Sequence, residues 1–181
     1  MEENRNKLVM DGKTKLIYRI SCWVSGFVMI FVLIYGLIAS IATTGGSFAI
    51  GGALVNVFWP LPWFAQPVTY LSIASVAFFY SVLRLWEEKM SKWPQYVLSL
   101  IQLLGFVIAF ASAYEVLYNF MLWGSVFSYN LLLQNKDPNL VLTPLQPPWY
   151  LVFATKVFSA TFVISGYTVY YIRRLNKTGL I

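Results

Sequence analysis

Four long apolar runs, divided by short polar or proline-rich breaks, organise this chain. They cover about 17–42, 68–86, 96–123 and 149–172, each near or above the roughly 20 residues a helix needs to cross a hydrocarbon core. This pattern predicts an all-α integral membrane protein, one four-transmembrane-helix bundle domain spanning residues 1–181. The third run has no proline between Tyr96 and Gln134 and meets a turn signal, "NKDPN", only at 135–139. Its helix is therefore expected to extend outward to about 134.

Small residues are placed to let these helices approach one another. Cys22, Gly26, Gly36 and Ser40 share a stripe with Met29 and Leu33 on the first helix, and Ser72 and Ser75 mark the second. Gly105, Ala109 and Ser112 mark the third. Because lipid supplies no hydrophobic drive between helices, close backbone packing at small residues does much of the work. A compact bundle with short inner connections follows.

The first outer connection, "GGSFAIGGALVNVFWPLPWFAQP" at 45–67, is too broken by Gly and Pro for a straight span and too apolar to float in water. An extended, turn-rich path across the outer mouth or along the lipid surface is expected, with Phe58, Trp59, Trp63 and Phe64 at the interface. Together with Trp123 and Trp149 these rings form an outer aromatic surface, either an ordinary interfacial belt or a binding face.

Composition agrees with membrane insertion, since 59% of residues are hydrophobic and 11% charged. The charges then set orientation, because cytoplasmic flanks collect Lys and Arg. Arg5, Lys7, Lys13, Lys15 and Arg19 precede the first run; Arg84, Lys89 and Lys92 lie between the second and third; Arg173, Arg174 and Lys177 follow the fourth. A multi-pass cell-membrane protein with both termini cytoplasmic is expected, its outer loops apolar and aromatic. The "SIA" at 40–42 is a small-x-small triplet, but the first run is longer than a cleaved signal's apolar region and is taken as a true span. The net charge of +6 could suit nucleic acid, yet the basic residues sit where topology and anionic headgroups account for them. No nucleic-acid partner is expected; the partners are the bilayer and other membrane subunits or further copies of this chain.

Much chemistry is excluded by counting. The chain has no histidine and one cysteine, Cys22, which removes the usual general base, the common haem ligand and any internal dithiol. "TTGG" and "IGG" lack the lysine and helix of a phosphate loop. No catalytic residue or metal site is expected, and no cofactor; a quinone or a lipid is the candidate small-molecule ligand.

Two charges are left inside the spans. Glu115 lies about 30 Å above Gln95, and Lys156 about 25 Å above Arg173, at 1.5 Å per residue. An intramembrane charge costs about 3 kcal/mol and usually pairs or faces a cavity. Glu115 and Lys156 are therefore expected to pair in the outer leaflet, with Ser112, Tyr118 and Asn119 beside the acid and Ser159, Tyr167 and Tyr170 beside the base. The pair could lock two helices, reach headgroups by snorkelling, line a hydrated cavity or contact another subunit.

In size, span number and inward termini the chain is similar to the small four-helix membrane subunits of quinone-linked oxidoreductases, a likeness of topology carried by no particular motif. Three functions follow as expectations: a non-catalytic subunit of a larger membrane assembly, which is favoured; a redox-linked subunit with a quinone site near Glu115 and Lys156; and a small oligomeric transporter or channel.

Overall fold

A computed structural model describes residues 11–44, 50–59, 65–136 and 148–177, and these form helices without a strand among them. In chain order they are α1 (Gly12–Thr44), α2 (Ile50–Val55), α3 (Pro67–Leu85), α4 (Glu87–Met90), α5 (Gln95–Lys136) and α6 (Trp149–Lys177). Four of them, α1, α3, α5 and α6, are long and apolar enough to cross a membrane. The third run's extension is realised, since α5 holds 42 residues, about 63 Å of helix.

The first outer connection departs from the expected extended path. Residues 50–55 wind into α2, and Gly52, Leu54 and Val55 are buried. Leu54 and Val55 join Val32 of α1 and Val68 of α3 in one apolar cluster, with Val152 and Phe153 of α6 against it. Glycines permit this. A Cβ on Gly36 would stand 2.8 Å from Leu54 Cδ2, and one on Gly51 2.7 Å from Trp149 Cζ3. Burial of Leu54 outweighs the modest helix-forming tendency of a glycine pair.

Within the expected four-helix arrangement, the long helices pair in sequence as a row. α1 packs on α3, α3 on α6, and α6 on α5, while α5 packs along neither α1 nor α3. Ser81 Oγ donates to Ser21 Oγ at 3.0 Å across the α1–α3 seam, and Gly26 faces Phe78 there. Along α1, Ser25, Val32, Gly36 and Ser40 are buried while Leu33 is exposed. The contact stripe thus keeps the expected Gly36 and Ser40 but leaves Leu33 exposed.

At the far end of α6, Tyr171, Ile172 and Leu175 bury against Met90 and Leu98. This gathers the α3–α4–α5 turn and the α6 C-terminus at one end, which also carries Lys15, Arg84, Lys89 and Lys92. Lys15 Nζ meets Glu88 at 3.5 Å. That basic end lies opposite the α2 end, as the distribution of Lys and Arg along the sequence requires.

Candidate functional site

Lys156 sits on the second turn of α6, half-buried. Its ammonium donates to Gln66 Oε1 and, at 2.8 Å, to Thr69 Oγ1. Both acceptors come from the start of α3, and local sequence puts them there. Pro67 occupies the first turn, where its missing N–H costs nothing, and it holds Gln66 extended at φ −78°, ψ 146° as a residue before proline prefers. The Gln66 side chain does not cap its own helix and is free for Lys156. Two residues into the helix, Thr69 presents its hydroxyl beside it. Ser72 Oγ, one turn further, shares its hydrogen between the Val68 carbonyl at 2.9 Å and the Lys156 carbonyl at 3.3 Å.

The expected Glu115–Lys156 pair does not form; among the described residues the ion pairs are Lys15–Glu88 and Arg84–Glu87. The two residues do lie near one level along their helices. A Cβ on Gly105 would touch Val169 at 3.0 Å, and counting ten residues along each antiparallel helix brings Glu115 level with residue 159, about one turn from Lys156. Direction is what fails. Lys156 donates to Gln66 and Thr69 at the start of α3, while Glu115 is half-buried beside the buried line of Ala109, Ser112 and Asn119 on α5.

Asn119 is the member of the expected α5 stripe that shares a cavity with Lys156. Asn119, Phe120 and Trp123 of α5 and Leu151, Val152, Thr155 and Lys156 of α6 line a cavity of about 180 Å³. Asn119 is only 7% exposed, and its Nδ2 has no hydrogen-bond partner. On the α3 side of the same lysine, a groove of about 560 Å³ runs from Thr69 past Ile73, Val76 and Ala77 to Tyr80, floored by Ser159, Ala160 and Val163. Lys156 lines both spaces. Cavity and groove therefore meet at Lys156.

The remaining candidates disperse. Ser112 is buried in the α5–α6 seam, whereas Tyr118 is exposed and stacks on Tyr114 at 6.3 Å. Ser159 bonds the Thr155 carbonyl at 2.7 Å on the open groove face. Tyr167 belongs to the basic end, its ring 4.8 Å from Tyr80 and 5.8 Å from Tyr171. There Arg84 lies 5.7 Å above the Tyr80 ring, 5.4 Å above that of Tyr171, and 3.7 Å from Glu87. Tyr167 is thus set apart from the stripe expected beside Lys156, and its convergence with Tyr80, Tyr171 and Arg84 becomes visible only once α3 and α6 are neighbours.

The aromatic surface also separates. Trp59 is 50% exposed, between Phe31 at 6.3 Å and Tyr70 at 6.1 Å, and Phe58 beside it is exposed too. Trp123 belongs to the lysine cavity, and Trp149 covers Gly51 and Gly52 of α2. Trp63 and Phe64 lie outside the described residues.

The chain matches no family model, no curated protein and no solved structure. A cation with only neutral partners among the described residues can hold an anionic or carbonyl oxygen. No group of His, Cys, Asp and Glu among the described residues is arranged to hold a metal.

Proposed function

We propose that this chain is a non-catalytic integral subunit of a larger membrane assembly, with its basic end and both termini cytoplasmic. The observation that carries this is the free length of α5. From the Gly105–Val169 contact, twenty residues along each helix bring Trp149, the first residue of α6, level with residue 125. The last three turns of α5 then stand without α6. They carry the exposed apolar side chains Val126, Phe127, Leu131 and Leu132.

Lipid does not account for this surface. A helix of about 63 Å exceeds the 40–45 Å of a whole bilayer, headgroups included, and the usual tilt near 20° shortens its reach only slightly. Apolar side chains projecting beyond headgroups match a protein partner. Glu115, without an ion partner among the described residues and on a helix that packs along α6 alone, fits a basic residue supplied by a neighbouring span.

Purification in mild detergent from the native membrane, with the mass of the intact particle measured, tests this. A stoichiometric membrane protein is expected, lost on combining Phe127→Ser, Leu131→Ser and Leu132→Ser while the chain still inserts. A particle of one chain alone, unchanged by the triple substitution, would reject the subunit reading. A transport path through Glu115 and Lys156 jointly is disfavoured because the two face different neighbours. The quinone alternative places its ligand at Lys156 and predicts a quinone absorption in the purified particle.

A further inference from the structure

We infer that Lys156 and Asn119 form the headgroup seat of a specific anionic phospholipid, one of whose acyl chains lies in the groove between α3 and α6. The inference is independent of the subunit reading, since every residue it uses belongs to this chain.

Three observations converge on it. An ammonium has three N–H donors; among the described residues two go to Gln66 and Thr69, both neutral, and no carboxylate neutralises the charge. Asn119 Nδ2 is a second donor, buried and unpartnered, on a residue that lines the same cavity as Lys156. A buried donor left unmade is costly, and buried amides in folded proteins normally have an acceptor. Two donors of this kind, one charged, call for an anionic oxygen acceptor.

The apolar groove specifies the rest of the ligand. From Thr69 to Tyr80 it follows α3 for about 16 Å, half of a hydrocarbon core about 30 Å thick. That is the depth of one leaflet, with the charge at one end and aliphatic walls beyond it. The cavity of about 180 Å³ offers more room than a fatty-acid carboxylate fills, and the bilayer that four apolar helices fit supplies phospholipid. Phosphate on Lys156 and Asn119, with a chain along Ile73, Val76 and Val163, satisfies both donors and covers the groove.

The test titrates the full-length protein in mild detergent with dioleoyl phosphatidylglycerol, dioleoyl phosphatidylcholine or oleate, counting retained molecules by native mass spectrometry. One phosphatidylglycerol per chain is expected, held more tightly than phosphatidylcholine or oleate. Lys156→Gln and Asn119→Leu should each weaken it about ten-fold, the loss expected for one hydrogen bond to an anion. Lys156→Arg should retain it, and Lys89→Gln, at the exposed basic end, should leave it unchanged. Absence of a stoichiometric lipid, tighter oleate than phosphatidylglycerol, or equal weakening by Lys89→Gln overturns the inference. If Lys156→Gln fails to fold, Asn119→Leu decides, and undiminished retention in that variant overturns it.

Discussion

The Lys156 ammonium stands 2.8 Å from Thr69 Oγ1, across a seam between two helices that run in the same direction. Ser72 against Lys156 and Tyr80 against Tyr167 fix that parallel register. The chain is thus two antiparallel hairpins, α1 with α3 and α5 with α6, joined through their returning helices. The joint carries the lysine and the groove.

Stability should couple Lys156 to α3 and not to Glu115. In a double-mutant cycle, Glu115→Gln and Lys156→Met should be additive within about 0.5 kcal/mol, as for groups that share no partner. Thr69→Val with Lys156→Met should be non-additive by about 1 kcal/mol, because the hydrogen bond can be lost only once. Reversible unfolding in detergent reads both cycles. A coupling larger for Glu115 than for Thr69 would restore the ion pair.

Two glycines should respond oppositely to alanine. Gly51→Ala puts a Cβ 2.7 Å from the Trp149 ring, and moving that ring should cost about 1–3 kcal/mol as in other overpacked cores. Gly124 meets nothing within 4 Å, so Gly124→Ala should stabilise by up to about 1 kcal/mol through helix propensity. Thermal midpoints of the two variants, on either side of the parent, check the pair.

Ser21 and Ser81 meet at 3.0 Å between α1 and α3. Interhelical hydrogen bonds in membranes average about 0.6 kcal/mol in coupling, so Ser81→Ala should have a small effect that vanishes in a Ser21→Ala background. Ser81→Leu, entering a nearly closed site, should be far worse. Equal effects of the two Ser81 substitutions would contradict the close packing of this seam.

Arg84 should not tolerate lysine. Its guanidinium spans the Tyr80 and Tyr171 rings and faces Glu87, an arrangement that uses a planar cation. With each cation–π contact contributing about 0.5–2 kcal/mol, Arg84→Lys should destabilise by about 1–2 kcal/mol. Exposed Lys92→Ala at the same end should change stability little. Unfolding of the two variants in parallel separates a structural role for Arg84 from simple basic charge.

Sequence alone determined the four long elements. Unbroken apolar length yields α1, α3, α5 and α6 within a few residues, because a helix that crosses hydrocarbon must satisfy its own backbone and its length follows from bilayer thickness. The extended α5 was legible from the lack of proline before residue 138, and the common level of Glu115 and Lys156 from helical rise. Which neighbour each side chain faces was decided only by the tertiary structure. Apolar residues surround α1 and α5 on most sides, so hydropathy does not mark a contact face when lipid and protein are equally apolar. Packing at Gly36, Gly51 and Gly105 settled the row, wound residues 50–55 into a buried helix, and turned Lys156 toward Gln66 and Thr69 with Asn119 beside it.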